Sequence, residues 1–165
     1  MTSGAPATQR FIIGVFLFLA AVVCAVAPLP LAFRSAGILF FSYLSFAVGG
    51  SAAAHFTALL APPIGLLSGD PEWLIMLPVV LACNLLAMIG LEFAWRYAAL
   101  LVSPLLQAIP QLVIVNLSDQ ELFAVDLPWE PRAQVWIALH ILTALAGVLV
   151  AVYLDRRRER QAVTA

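Results

Sequence analysis

A helical bundle that crosses a membrane several times is the fold class this sequence predicts, and three observations predict it. Of its 165 residues, 64% are hydrophobic and only 10% are charged, and the mean hydropathy is +1.04. A water-soluble domain of this size must cover its surface with far more polar groups. Apolar runs long enough to cross about 30 Å of hydrocarbon recur along the whole chain. The charges fall almost entirely at the edges of those runs, as the cost of burying charge in lipid demands. The expectation is an all-α, polytopic integral membrane bundle. Residues 1–165 form one transmembrane domain, with short tails at 1–10 and 156–165.

The first span reads as Phe11 to Leu29 and is stopped by the proline pair Pro28 and Pro30. It follows a short polar segment, as a signal peptide does. However, it is too long for one and lacks a small-x-small cleavage site, so it reads as a retained helix. Arg34 then falls in a short turn. Further on, Trp73–Phe93 forms a clear span, closed by Trp95 and Arg96. The next span, Ala98–Leu117, contains Pro104 and Pro110, and the last runs from Val135 to Leu154 and is stopped by "DRRRER". Between these last two lies the only long polar connection, "SDQELFAVDLPWEPR".

Ala36 to Leu67 is harder to divide. It carries no formal charge if His55 is neutral. As one helix its 32 residues would measure about 48 Å at 1.5 Å per residue, too long for one span without strong tilt. The Gly49-Gly50-Ser51 break divides it into two short halves. The sequence therefore predicts six spans, with five as the alternative.

All eight basic residues are arginines, and four of them, Arg156, Arg157, Arg158 and Arg160, cluster after the last span. This bias places the C-terminal tail in the cytoplasm of a bacterial-type inner membrane. Counting back, Asp119–Arg132 lies outside, Arg96 inside, and Asp70 with Glu72 outside. With six spans, Arg10 is inside and Arg34 outside. A net charge of -1 gives no reason to expect a nucleic-acid partner.

The stretch "AHFTALLAPPIGLLSGDPEW", residues 54–73, interrupts this pattern with a histidine, a double proline and a Gly-Asp-Pro-Glu turn. Asp70 fits the N-cap of the following helix, Pro71 its first position and Glu72 its first turn, where the helix dipole favours a carboxylate. Trp73 then stands where an aromatic-belt residue belongs.

Chemistry-bearing residues are few. Cys24 and Cys83 lie inside apolar segments and form no C-x-x-C pair, so they read as small packing residues, and no metal site is expected. His55 and His140 are the only histidines. They admit haem ligation, in the manner of an electron-transfer membrane anchor, but bonding to a neighbouring helix accounts for them more simply. Trp136, His140 and Thr143 share one face of the last helix, and Gln107 and Gln111 share a face of the one before, with Asn116 near its outer end. Trp73, Gln111, Asn116, Trp129, Trp136 and His140 are thus the candidate ligand-binding residues, with Glu130 on the same outer rim. The competing reading of the same groups is interhelical hydrogen bonding. Glu92 and Arg96, spaced i, i+4, read as a structural pair. There is no G-x-S-x-G, H-E-x-x-H or Walker A sequence, so neither enzymatic activity nor a resident cofactor is expected.

"APPIGLLSGDPEWLIMLPVVL" resembles the proline–loop–Gly-x-Pro–helix passage of some S components, the substrate-binding subunits of energy-coupling-factor (ECF) vitamin transporters. Ala21-x-x-x-Ala25 is similar to the small-residue motif by which those subunits dock their transmembrane partner. The resemblance implies about six spans, both termini cytoplasmic, a small-molecule ligand, and membrane-protein and ATPase partners that supply the energy. A second likeness is to small membrane subunits that scaffold envelope complexes, such as the cell-shape family called MreD. Of that family's acidic "D-x-x-S-G" helix ending, only "LLSGD" at Leu66–Asp70 stands here. It implies the alternative role, a structural or assembly subunit.

Overall fold

The protein is described by a computed structural model covering residues 7–94, 98–119, 128 and 132–163. Among these residues the fold is all-helical. It comprises α1 (Ala7–Val26), α2 (Leu31–Gly49), α3 (Ser51–Ile64), α4 (Pro71–Phe93), α5 (Ala99–Asp119) and α6 (Ala133–Val163), and a 3₁₀ turn at Gly65–Ser68 extends α3. With that extension, all six helices are long and apolar enough to cross a membrane. The chain is a multi-span membrane protein.

The uncertain tract resolves at one residue. Gly50 separates α2 from α3 with φ 79° and ψ -170°, a backbone region that is essentially glycine's alone. The chain reverses there, so that α2 and α3 pack along each other and Thr57 Oγ1 donates back to Ser45 Oγ at 3.2 Å. The five-span alternative is thereby removed.

The element boundaries correct the sequence reading in three places. α1 ends at Val26, before Pro28 rather than beyond it. α2 begins at Leu31, with Pro30 at its N-cap, so Arg34 lies in the first helical turn and not in a connecting loop. α6 does not stop at the basic cluster but carries it, running through to Val163. No proline or glycine stands after Gly147 to break it.

Chain direction sorts the bundle into two ends. The first end gathers the C-terminus of α1, the N-termini of α2, α4 and α6, the 3₁₀ turn and the C-terminus of α5. The second end gathers the Gly50 reversal, the end of α4 and the basic end of α6. α2 is the central helix, touching α1, α3, α4 and α6, while α5 packs between α4 and α6. α2 is also the most buried span and α1 the least. Outward residues of α1 such as Phe11, Phe16 and Val23 are the apolar face expected against lipid tails.

Packing divides into two apolar clusters, one per end. Leu31, Ile38, Trp73, Met76, Cys83 and Trp136 belong to the first, and Leu39, Tyr43, Ala87, Leu91, Ala144 and Val148 to the second. Small residues permit the close approach on which membrane helices depend for dispersion contact. Gly147 of α6 lies directly beneath the Tyr43 ring of α2, where any Cβ would overlap the ring.

Candidate functional site

Buried polar side chains occur at three levels along the bundle. At the first end, Arg34 is 2% exposed. Its Nη1 donates to Asp70 Oδ2 at 2.6 Å. Its Nε donates to the Ala25 carbonyl at 2.8 Å, as Nη2 also does, and Nη2 reaches Ser68 Oγ at 2.9 Å. The guanidinium carbon stands 4.3 Å from the centroid of Trp73, within cation–π range. Trp73 donates its own Nε1–H to the Pro62 carbonyl at 2.9 Å. The cluster ties α1, α2, α3 and α4 together.

Local sequence explains each part of it. α1 ends in orphan carbonyls, and the one at Ala25 finds its donor in Arg34. Gly69, at φ 72°, ends the 3₁₀ turn and presents Asp70. The Asp70 carboxylate caps α4 by accepting from the Glu72 N–H at 3.0 Å with one oxygen, and holds Arg34 with the other.

Beside it, at the next residue of α2, His140 of α6 lies 2% exposed between α6 and α2. Its Nδ1 is 2.8 Å from the Trp136 carbonyl and its Nε2 is 2.9 Å from Ser35 Oγ. A carbonyl only accepts, so Nδ1 carries the proton; the single Ser35 hydroxyl proton is within reach of both Nε2 and the Leu31 carbonyl, each 2.9 Å from Oγ. The Trp136 and His140 rings stack with centroids 5.4 Å apart and planes 8° from parallel.

The third group runs along α5. Ser103, Gln107 and Gln111 stand at i, i+4 and i+8 on one face, and all are at most 1% exposed. Ser103 Oγ donates to the Ala87 carbonyl of α4 at 2.7 Å and meets Tyr43 Oη of α2 at 2.6 Å. The hydroxyl proton of Ser103 goes to the carbonyl, so Tyr43 is the donor in the second contact. Gln111 contacts the Cys83 side chain of α4. Gln107 lies between these anchors, and among the described residues neither Nε2 nor Oε1 of its amide has a hydrogen-bond partner; Oε1 of Gln111 has none there either.

The six residues singled out from the sequence fall in several places. Trp73, Trp136 and Cys83, which touches Gln111, share one apolar cluster, and His140 stacks on Trp136. Asn116 stands apart: it is exposed, and it donates to Leu112 of its own helix at 2.7 Å. Trp129 and Glu130 lie outside the described residues. Trp73 is not a belt residue, since it is fully buried over Arg34. Ala21 and Ala25 are fully buried in the chain's own core, where α1 packs on α2 and α3, so their side chains present no outward face.

Arg34, Ser68, Tyr43 and Ser103 were not among the candidate site residues. A signal for the ion pair exists in the sequence. Arg34 is the only arginine between Arg10 and Arg96, with no lysine there, and Asp70 with Glu72 are the only acids before Glu92. Six spans place them on the same side of the membrane. Nothing in the sequence signals the Tyr43–Ser103 contact, which depends on helix rotation.

The two histidines stand near opposite ends. His55 is in the first turns of α3, with Nδ1 2.9 Å from the Ser51 carbonyl and Nε2 3.9 Å from Glu92 Oε2. Both ring nitrogens of His140 are already engaged. The two do not form a ligand pair for one haem. The Arg96 proposed as partner to Glu92 lies outside the described residues. Among the described residues no group of three His, Cys, Asp or Glu side chains is placed to hold a metal ion.

The chain matches no protein-family model, no curated protein and no solved structure.

Proposed function

We propose that this chain is a small-molecule-binding membrane subunit of a transport complex, similar in role to an S component, with the driving ATPase on another chain. One observation carries this reading. Buried polar side chains stand inside the bundle on α2, α4, α5 and α6, and one of them, Gln107, has no hydrogen-bond partner among the described residues. An unpaired amide in a hydrocarbon environment is costly, so its presence calls for a partner from outside the chain. The proposal seats the subunit in an inner membrane with its basic α6 end in the cytoplasm, and assigns it no catalytic step of its own.

A second reading, a structural or assembly subunit, draws on a different observation. The Arg34 cluster and the Ser35–His140 contact are satisfied within the chain, as polar groups that serve only to join helices would be. Co-purification separates the two. The full chain is solubilised from its native membrane in mild detergent and its associated proteins are identified. An ATPase and a transmembrane partner are expected. Recovery of envelope-assembly proteins alone, with no bound small molecule, would overturn the transport reading in favour of the structural one.

A further inference from the structure

We infer that the Gln107 level of α5 is a ligand-recognition site, and that its ligand is an uncharged molecule presenting hydrogen-bond donors and an acceptor on one edge. A primary amide, ureido or nucleobase-like edge has this form. The inference rests on the binding-subunit reading above and deepens it.

Three independent features meet at this level. The first is the amide itself: Gln107 is fully buried and offers two N–H donors and an acceptor oxygen, none of them used by a described residue. One turn away, Gln111 adds a second unused acceptor, Oε1. The second feature is backbone. Pro104 and Pro110 stand three residues on either side of Gln107 inside α5. Each removes an amide donor, so the carbonyls of Leu100 and Leu106 lack their i+4 partner. α5 is therefore weakened on both sides of Gln107, near the middle of its span. Proline-interrupted helices at mid-membrane depth are where transporters place binding sites, because the freed backbone and the local give both serve a ligand.

The third feature is charge. α4 between Trp73 and Leu91, and α5 between Ala99 and Ser118, contain no ionisable acid or base other than Cys83. The nearest buried cation on α2, Arg34, is committed to Asp70. A charged ligand would thus meet no counter-ion from these helices, and its desolvation would go unanswered. An uncharged ligand loses little on entry and pairs the amide. Two acceptor oxygens (Gln107 and Gln111) and one amide nitrogen call for a ligand edge with at least two donors and one acceptor.

The test compares the small molecules released from the full chain purified in four forms: wild type, Gln107→Leu, Gln107→Met and Leu67→Ala. The Leu67 side chain is 82% exposed and serves as the control. Leucine and methionine approximate the glutamine in volume, and the pair guards against one of them failing to fold. Solvent extracts are compared by mass spectrometry, and folding is checked by circular dichroism. An uncharged compound with such an edge should be present in wild type and Leu67→Ala, and depleted by about tenfold or more in both Gln107 variants. A compound retained equally by all four forms would overturn the Gln107 site while leaving the binding-subunit reading in place. Dependence on Gln107 by a compound with net charge would overturn the ligand class. No compound in any form would overturn both.

Discussion

Replacing Asp70 by asparagine should destabilise the bundle through Arg34 alone. Asparagine retains a side-chain oxygen, so the cap on the Glu72 N–H survives and only the charge is lost. What remains is a guanidinium with 3% of its side chain exposed and no carboxylate, held by the Ala25 carbonyl and Ser68. Stranding one member of a fully buried pair costs about 3–5 kcal/mol. The Asp70 side chain is 29% exposed, so water partly answers for it, and the expected loss falls to about 2–3 kcal/mol. Alanine removes the cap as well and should cost about 1 kcal/mol more. Arg34→Met combined with Asp70→Asn should be far less harmful than the sum of the two single changes, with a coupling of about 2 kcal/mol. Unfolding by sodium dodecyl sulfate in mixed micelles, followed by tryptophan fluorescence, reads these differences. If Asp70→Asn lies within about 0.5 kcal/mol of wild type, or the single costs simply add, the ion pair does not hold this end of the bundle together.

Three further outcomes follow from the fold. Gly50→Ala should destabilise by about 1–3 kcal/mol in the same assay, because alanine does not tolerate that backbone conformation; stabilisation would instead mean a continuous helix from α2 into α3, where alanine is favoured over glycine. Gly147→Ala should cost about 1–3 kcal/mol by pushing its Cβ into the Tyr43 ring, and Tyr43→Ala in the same chain should remove most of that penalty. A reporter fused after Ala165 that is active only outside the cytoplasm should stay silent, as the arginine-rich end of α6 requires; bright signal would invert the proposed orientation.

Much of the fold could be read from composition because the bilayer allows few solutions. Runs such as Trp73–Phe93 and Val135–Leu154 must be helical for their backbone groups to be satisfied in lipid. The cap at Asp70 was equally legible, since it depends on residues adjacent in sequence. The Gly50 reversal was legible only as an alternative, because a glycine pair in an apolar tract marks a weak point without fixing the backbone angles. The site was less accessible for a different reason. Spacing puts Gln107 and Gln111 on one face of α5, but not which helix that face meets. Tryptophan at a helix start points to the membrane surface, whereas Trp73 is fully buried with the Arg34 guanidinium 4.3 Å from its ring, a contact that sequence spacing does not reveal. Likewise, small residues such as Ala21 and Ala25 serve contacts within a chain as readily as contacts between chains.

The proposal that this is a ligand-binding subunit meets its most direct test in the mass of the intact protein. Native mass spectrometry of the chain, released from mild detergent without prior washing, resolves a bound small molecule on a 17.7 kDa protein. The account predicts a population heavier by the mass of one small uncharged compound, and conversion of that population to the bare chain in Gln107→Leu. A single species at the mass of the bare chain, however gently it is released, would contradict it.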